Sequence, residues 1–550
     1  MEAIAAGIIW LVTPTGFGAS LSWAAQAPAG RLAPQTLIPS ILCVADHGDR
    51  VAFGWMNYVT LGIYLVLTLV VGLYFTGREK TTDDFFLGGR RVPWWAAGLS
   101  IFGTQLSAIT FMAIPAKAYD TNWSYILNHV TIVMVAPIVV FFYLPFFRRL
   151  RLTTAYEYLE MRFNVAVRLF GAAAFCLMQL GRMGIVLYLP AIALSTVTDL
   201  NIYVSILIMG VLCTIYTAFG GIEAVIWTDV VQVAVFLGGA LLCVAAIALR
   251  VNGGIVGIID TGLQAGKFNI LNPSWDYTTA CVWVIFVGNL FSNLVPYSAD
   301  QAVIQRYLTT PTEKQAARAI WTNAALTMPS AFIFFFLGTA LYVFYTVHAN
   351  KPDPNLGTDA ILPWFIVHEL PAGVAGIVVA AIFAAAMSTL DSSINSMATV
   401  LVTDFYGRFK PDSSDRARLL LARVFTVLLG ALGTACAVFI AGAEIKSLWD
   451  LFLALLGMLG GGLAGVFALG VFTRRANSPG ALLGIICSTA VLYLVKQYTQ
   501  AHFLLYGAIG IITCIAVGYI AALAMGSKPC ARELTVYGIA RNNPSTGSGW

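Results

Sequence analysis

Val230–Leu249 reads VVQVAVFLGGALLCVAAIAL, a stretch of twenty residues that contains no charged side chain. Two further apolar blocks of this kind are Tyr58–Tyr74 and Ala331–Tyr345. The hydrocarbon core of a lipid bilayer is about 30 Å thick, so a helix that crosses it needs roughly 20 predominantly apolar residues. These stretches therefore predict helices that span a membrane.

The composition of the whole chain agrees with that prediction. Of its 550 residues, 59% are hydrophobic and only 10% are charged, whereas a soluble domain has about 25% charged residues. A water-soluble chain of this length would need a charged surface over several domains. The charge content excludes a soluble protein, and the net charge of +5 includes no basic stripe that would indicate a nucleic-acid partner.

Residue types that indicate catalysis or structural metal binding do not cluster. The nine cysteines are scattered, mostly within apolar segments, and form no CxxC pair, so we interpret them as small packing residues. The five histidines are dispersed and form no HExxH motif, so nothing indicates a metalloenzyme. We therefore predict that the chain is not an enzyme.

The apolar segments predict thirteen membrane spans. Helices are expected because lipid offers no hydrogen-bonding partner for exposed backbone groups, and the alternating pattern of barrel strands is missing. The predicted fold class is an all-α integral membrane protein. The spans are 57–76, 94–116, 123–147, 166–197, 202–220, 224–249, 280–300, 320–346, 371–402, 418–441, 448–472, 479–497 and 503–525.

Lysine and arginine in the short loops predict the orientation, because they accumulate on the cytoplasmic side. If the first span starts outside, all basic segments fall on one side, and the opposite loops 250–279 and 347–370 hold few basic residues. We therefore expect a multi-pass protein of the cell (inner) membrane with a cytoplasmic C-terminus. The basic segments are Arg78–Arg91, Arg148–Arg168, Arg306–Arg318, Arg408–Arg423, Arg474–Arg475 and the tail from Lys528.

The two ends of the chain differ from this membrane domain, which covers residues 51–525. Within residues 1–50, Ala3–Trp23 is apolar and is followed by small residues that suit a cleavage site, but no basic residue precedes it. A signal-like or peripheral leader and a further helix therefore both remain open. Residues 526–550 are polar and rich in Pro, Asn, Ser and Gly near their end, so we predict a disordered tail.

Four ionisable residues lie inside predicted spans, where burial is costly and a functional role is the first hypothesis. They are His129, Arg182, Asp229 and Asp391. Arg182 lies in the apolar run 169–197 and requires an anionic partner. Two partners remain open for it: a solute carboxylate, or an internal ion pair with Asp229 or Asp391.

The segment 384–393, AAAMSTLDSS, has the residue types of a cation site. Ser388, Asp391 and Ser392 share one helix face, and Ser388 and Thr389 provide adjacent hydroxyls. Hard cations such as sodium prefer several oxygen ligands. The alternative interpretation is that these small residues only allow close helix packing.

Small polar residues interrupt two spans that are five spans apart. The first interruption is Gly103–Thr110, within the segment 98–116, and the second is Gly288–Tyr297. Such interruptions are typical of discontinuous helices, whose ends bind ions and solutes at mid-membrane. The spacing suits two five-helix repeats of inverted topology.

Several motifs resemble those of the sodium:solute symporters, across residues 57–525. The Arg-hydrophobic-Tyr pattern of Gly181–Tyr188 is similar to the bacterial sialic acid symporters within that family. The resemblance implies a leucine-transporter-like fold, with ten core helices in two inverted repeats and peripheral helices added. The motifs are Thr81–Arg90 with Val92–Trp95, Thr154–Phe163, Phe219–Asp229, Gln305–Tyr307 and Ser388–Ser393.

The resemblance also implies site residues for a solute and for one or two coupling sodium ions. The solute-binding residues would be Gln105, Ser107, Thr110, Tyr125, His129 and Arg182. The first sodium site would use the carbonyls of Gly103, Leu106 and Ala385 and the hydroxyls of Ser388 and Thr389. The second would use Asp229, Ser388, Asp391 and Ser392.

Five positions depart from the sialic acid pattern. Threonine is expected at Gln105, glutamine at His129 and serine at Asp391, while Pro296 and Asp300 replace polar uncharged residues. These departures leave the ion site intact and bear on the solute.

The predicted function is sodium-coupled symport of a small carboxylate-bearing solute by alternating access, with sialic acid or a related sugar acid first. A monocarboxylate, a vitamin or a neutral sugar is the alternative solute. More distant alternatives are a membrane enzyme, and a membrane sensor, which would need a signalling domain within the 25 residues after 525. The expected partners are the solute, sodium ions and the lipid bilayer.

Overall fold

The structure is a computed structural model that describes residues 53–76, 79–347, 358–442 and 456–541, and these residues are mostly helical. They contain no β-strand, in agreement with the predicted fold class. The segment 1–50, and with it the choice between a leader and a further helix, lies outside the described residues.

We number the principal helices in chain order. They are α1 (Trp55–Tyr74), α2 (Trp94–Gln105), α3 (Ala108–Asp120), α4 (Trp123–Leu150), α5 (Val165–Val197), α6 (Ile202–Ala248), α7 (Val282–Ser298), α8 (Gln301–Leu308), α9 (Glu313–Val347), α10 (Val374–Val400), α11 (Asp415–Ala441), α12 (Gly461–Phe472), α13 (Ser478–Tyr498) and α14 (Tyr506–Ala524). Short helices connect them at Thr82–Leu87, Ala155–Arg162, Gly254–Gln264 and Ile361–Glu369.

Among the described residues, nine helices are long and apolar enough to cross a membrane, or eleven if each of two bent pairs is one span. The predicted count of thirteen differs at two places. The predicted spans 202–220 and 224–249 both fall within the single 47-residue helix α6, and the predicted span 448–472 begins outside the described residues. The exact number of spans therefore stays a prediction.

Helix α6 is too long for one crossing of the bilayer. At 1.5 Å per residue its 47 residues would extend about 70 Å, more than twice the thickness of the hydrocarbon core. The backbone at Gly221 has φ 52° and ψ −150° and interrupts the helix there. A β-carbon at this position would lie 2.8 Å from the carbonyl oxygen of Phe85. Gly221 thus separates two segments that correspond to the two predicted spans.

Helix α10 lies at the centre of the helix bundle. Of its apolar window, 89% is buried inside the protein, and it packs against α1, α5, α6 and α11. Small side chains allow this close approach. A β-carbon on Gly239 of α6 would lie 2.4 Å from the β-carbon of Ala381. Residues on α10 are therefore held in fixed positions by neighbours on several sides.

Both predicted discontinuous spans are bent helix pairs, but only the first is broken where its interruption was predicted. Helices α2 and α3 meet at 60°, where Leu106 has extended backbone angles and Ser107 is the N-cap of α3. The second predicted interruption, Gly288–Tyr297, lies within the continuous helix α7, and the break follows it, between Ser298 and Gln301. Helices α7 and α8 meet at 55°, and the side chain of Asp300 caps α8 by accepting a hydrogen bond from the backbone N–H of Ala302.

The described part of the C-terminal tail forms short 3-10 turns at Arg532–Leu534 and Val536–Arg541. The disorder predicted for residues 526–550 stays a prediction. The hydroxyl of Tyr158 donates to the carbonyl of Leu534 at 3.1 Å, and the hydroxyl of Tyr537 donates to the carbonyl of Phe472 at 3.1 Å. The polar composition of the tail did not reveal these partners at the end of α12 and on the helix Ala155–Arg162.

We expect Gly221→Ala to destabilise the protein by about 2 kcal/mol, because only glycine adopts this backbone conformation without strain. The measurement is thermal unfolding of the purified protein in detergent. Gly238→Ala is the matched control in the same helix, since a β-carbon there would meet nothing within 4 Å. Equal melting temperatures for the two variants would show that the break at Gly221 is not needed for stability.

Candidate functional site

The break between α2 and α3 leaves backbone carbonyls of α2 without partners inside the helix. The carbonyl of Gly103 lies 3.1 Å from the hydroxyl of Ser388 on α10. The carbonyl of the next residue, Thr104, accepts a hydrogen bond from Arg182 on α5 at 2.6 Å. The end of α2 therefore faces a hydroxyl-rich region on one side and a buried guanidinium on the other.

The residues predicted for the first sodium site lie together at this break. The Ser388 hydroxyl is 3.1 Å from the Gly103 carbonyl and 3.2 Å from the Ala385 carbonyl, and the Thr389 hydroxyl is 3.4 Å from the Ala385 carbonyl. Leu106 lines the same narrow gap as Gly103, Ala385 and Ser388. These groups present oxygen atoms only, which suits a hard cation.

The residues predicted for the second sodium site are also buried close to one another. One carboxylate oxygen of Asp391 accepts from the Tyr216 hydroxyl at 2.6 Å, and its other oxygen is 3.3 Å from the Ser392 hydroxyl. The Ser392 hydroxyl in turn lies 2.5 Å from the carbonyl of Ser388. On α6, Asp229 is fully buried and accepts from the Ser100 hydroxyl at 2.5 Å.

Arg306 is a site residue that the sequence did not reveal. The sequence predicts it at the start of a basic loop, but it lies on α8 and is fully buried. Its guanidinium is 3.2 Å from Asp229, donates to the Ser100 hydroxyl at 2.7 Å and contacts the Ser392 hydroxyl. Its place in the Gln305–Tyr307 motif was the only signal, because hydropathy does not show that α8 folds back into the protein.

The ionisable groups buried around the predicted second sodium site are two acids and one base. When both carboxylates are ionised, Asp229 and Asp391 contribute two negative charges and Arg306 one positive charge, and all three side chains are fully buried. An uncompensated buried charge is costly. One monovalent cation would balance the cluster, and one oxygen of Asp229 has no hydrogen-bonding partner among the described residues.

All six predicted solute-binding residues line one cavity of about 180 Å³. It lies between the two bent helix pairs, so both helix breaks contribute to its wall. Gln105, His129 and Arg182 each have a buried nitrogen without a partner in the described part of the chain. Other polar residues of the wall were not predicted: Asn128, Asn289, Ser292, Asn293, Asp300, Asn323 and Thr327.

The position of Arg182 settles one of the alternatives left open by the sequence. An ion pair with Asp229 or Asp391 is wrong, because Asp229 pairs with Arg306 and neither carboxylate contacts Arg182. The nearest carboxylate is Asp300, whose oxygen is 3.8 Å from one terminal nitrogen of Arg182. This is an ion pair within the protein, although the separation is too long for a hydrogen bond. One further donor of Arg182, its Nε, has no hydrogen-bonding partner among the described residues.

Thr104 contacts residues of both the cavity and the predicted cation sites. Its carbonyl accepts from Arg182, while its hydroxyl lies 3.0 Å from the Ser392 hydroxyl and donates to the Ser100 carbonyl at 2.7 Å. A shift of Ser392 on cation binding would therefore be transmitted through Thr104 to Arg182. Thr104 lies within the predicted interruption Gly103–Thr110, but its residue type alone does not indicate this role.

A larger cavity, of about 520 Å³, lies by the short helix Thr82–Leu87. Two of its three arginines are ion-paired: Arg168 lies 2.7 Å from Asp404, and Arg408 lies 2.7 Å from Glu160. The third, Arg418, donates hydrogen bonds to Ser413 and Pro411. The smaller cavity has unpaired polar groups and lies at the helix breaks. We therefore take the smaller cavity as the candidate solute site.

The chain is similar to known transporters over most of its length. A model described as the sodium:solute symporter family matches residues 85–488. The sodium/sialic acid symporter NanT of Aliivibrio fischeri is 42% identical over 90% of this chain and 98% of its own length. The sodium/sialic acid symporter SiaT of Proteus mirabilis is 41% identical over 86% of this chain and 95% of its own length.

A solved structure agrees with this similarity. It is the substrate-bound, outward-open state of a Na⁺-coupled sialic acid symporter, which was described with a novel Na⁺ site. It matches with a TM-score of 0.82 and 40% identity, and covers 87% of this chain and 99% of that chain.

We expect Ser388→Ala with Thr389→Ala to weaken the apparent sodium affinity by about tenfold or more, because two of five oxygen ligands are lost. The measurement is the rise in melting temperature as sodium replaces choline, since an ion that binds the folded state stabilises it. Ser396→Ala is the matched control on the same helix, where the hydroxyl donates only to helix carbonyls. An unchanged sodium response in the double variant would overturn the first site.

Thr104→Val should reduce the effect of sodium on solute affinity by about fivefold or more, because the hydroxyl link to Ser392 is lost while the carbonyl remains. Calorimetric titration at low and high sodium measures this effect, with the relatives' sialic acid as the probe. Thr104→Ser restores a hydroxyl and should restore the coupling. A Val variant whose coupling equals that of the wild type would remove Thr104 from the link.

Proposed function

Because the chain belongs to the sodium:solute symporter family, we propose that it imports a carboxylate-bearing sugar acid, with sialic acid first, coupled to sodium. It is a multi-pass membrane transporter with a leucine-transporter-like fold, and not an enzyme. The observation that carries the proposal is the position of Arg182 in the cavity wall. It contacts Thr104, which in turn contacts Ser392 in the oxygen-rich region of the predicted cation sites.

The lining of the cavity favours a sugar acid over the other solutes. The guanidinium of Arg182 can bind a carboxylate through two parallel hydrogen bonds. The amides of Asn128, Asn289, Asn293 and Asn323 supply donors and acceptors around it, which suits the hydroxyls and amide of a sugar acid. The amide nitrogens of Asn289 and Asn293 already donate within the protein, to the Ile285 carbonyl and to Asn128. Their oxygens are the acceptors left for solute hydroxyls, which a simple monocarboxylate lacks. A neutral sugar would leave the donors of Arg182 unused.

Sodium at the first site would connect α10 to the end of α2. A ligand shifts a conformational equilibrium only by its different affinity for the two states. In the arrangement with Ser388 near Gly103, hydroxyls from α10 and carbonyls from α2 converge on one point. Sodium would favour this arrangement, which also fixes the Thr104 carbonyl against Arg182 and so positions the guanidinium for the solute.

The second site supports a second sodium ion. With both carboxylates ionised, Asp229, Asp391 and Arg306 leave one negative charge in excess inside the protein, next to the hydroxyl of Ser392. Asp391 adds a carboxylate where a serine was expected, which should strengthen the attraction for a cation.

The location of the protein follows from its charges. We assign it to the cell (inner) membrane, with the basic loops and the C-terminus in the cytoplasm. The described tail packs near Tyr158 and Phe472, and both lie next to the basic segments. The tail would then sit on the cytoplasmic face.

The test of this function is uptake by proteoliposomes loaded with the purified protein. An inward sodium gradient should drive accumulation of sialic acid, and replacement of sodium by potassium or choline should abolish it. Uptake across a panel of labelled sugar acids, neutral sugars, vitamins and monocarboxylates identifies the solute. Equal uptake without sodium would contradict the proposed coupling to sodium. Sodium-driven uptake of another solute, with none of sialic acid, would contradict the proposal that sialic acid is the solute.

Arg182→Lys should weaken sialic acid binding by about tenfold or more, because lysine retains the charge but lacks the planar pair of donors. Calorimetry at saturating sodium measures binding of the acid and of its methyl ester. Sodium affinity should survive, because the proposed sodium ligands lie on other helices. Equal wild-type affinity for acid and ester would remove the carboxylate contact and, with it, the preference for an anionic solute.

A further inference from the structure

Asp300 introduces a second charge beside Arg182. It is 3% exposed, lines the solute cavity and lies at the break between α7 and α8. Its carboxylate is 3.8 Å from Arg182 at the closest pair of atoms. No other carboxylate lines the cavity, so among the lining residues that the structure describes Asp300 alone opposes the charge of Arg182.

Hydrogen bonds from two residues hold Asp300 in place. One oxygen accepts from the backbone N–H of Ala302 at 2.8 Å. The side-chain amide of Gln179 donates to both oxygens, at 3.0 and 3.2 Å. Gln179 is itself anchored, because its oxygen accepts from the Ser393 hydroxyl on α10 at 2.9 Å. The carboxylate is therefore fixed beside Arg182 and does not need to move when a solute binds.

The two charged groups have different consequences for a solute. Because no hydrogen bond joins Asp300 to Arg182, the guanidinium keeps donors for a carboxylate. Its positive charge, however, is offset by a fixed negative charge a few ångströms away. The cavity therefore offers the hydrogen-bond donors of a guanidinium group, while the net charge of Arg182 and Asp300 together is close to zero. An anionic solute gains its hydrogen bonds but also meets the repulsion of Asp300.

We propose that Asp300 sets the charge selectivity of the solute cavity. It lowers the preference for anions that Arg182 alone would impose, and it admits neutral or zwitterionic relatives of the sugar acid. The proposal rests on the proposed function, since the cavity must be the solute site. It adds a residue that determines which charge class of solute the cavity accepts.

Asp300→Asn tests the charge alone. Asparagine caps a helix as well as aspartate does, and its side-chain oxygen can still accept from Ala302 and Gln179. Asp276→Asn is the matched control: Asp276 is exposed, and its side chain also accepts from the backbone N–H two residues on, that of Thr278. Asp300→Ser, a second good cap without charge, serves if the asparagine variant folds poorly.

Calorimetry at saturating sodium measures the affinity ratio of sialic acid to its methyl ester. Removing a fixed charge this close should raise that ratio by about tenfold or more, through tighter binding of the acid with little change for the ester. Asp276→Asn should leave the ratio unchanged. A ratio in Asp300→Asn that equals or falls below the wild-type value would overturn the inference.

The binding results differ if the proposed function, rather than the role of Asp300, is wrong. If the wild type binds neither acid nor ester, sialic acid is not its solute. The ratio is then measured with the carboxylate-bearing solute that the uptake panel identifies and with its methyl ester. A ratio that is unchanged in both Asp300→Asn and Asp300→Ser, with both variants folded, would overturn the role of Asp300.

Discussion

Backbone carbonyls without helical partners at the end of α2 are the constraint around which the candidate sites are built. Inside a membrane no water can satisfy such groups, so protein groups or bound ions must do so. The Gly103 carbonyl faces Ser388 of α10, and the Thr104 carbonyl faces Arg182 of α5. Two consecutive residues thus fix α10 and α5 against the same point. The cation site and the solute cavity are adjacent because they share one helix end.

The close packing of α10 makes this arrangement precise enough to bind ions. Its small residues allow α1, α6 and α11 to approach closely, as Gly239 and Ala381 illustrate. Ser388, Thr389 and Ser392 on such a helix have little freedom to relax away from their partners. A hydroxyl that cannot move away offers a preorganised ligand. The alternative interpretation of this segment, close packing of small residues, is therefore compatible with ion binding, because the packing positions the ligands.

Features that depend on a short stretch of sequence could be predicted from the sequence. Contacts between residues far apart in the chain could not, because they depend on how the helices pack. The polar interruption at Gly103–Thr110 and the face that includes Ser388 are local patterns, and both lie where expected. Arg306 was read as a loop residue because hydropathy does not show that the short helix α8 returns into the protein. The pairing of Arg182 with Asp300 depends on how α5 approaches the second helix break, which no local pattern contains.

When all the buried carboxylates are ionised, the charges of the two proposed sites together favour two sodium ions for each anionic solute. Arg182 and Asp300 then offset one another in the cavity, while Asp229, Asp391 and Arg306 leave one negative charge in excess. A bound carboxylate raises that excess to two negative charges in a region from which water is largely excluded. One sodium ion would leave a buried charge unbalanced, at considerable cost. Two would neutralise the loaded site, and the same balance would make solute release without sodium release unfavourable, which is the physical basis of coupled transport.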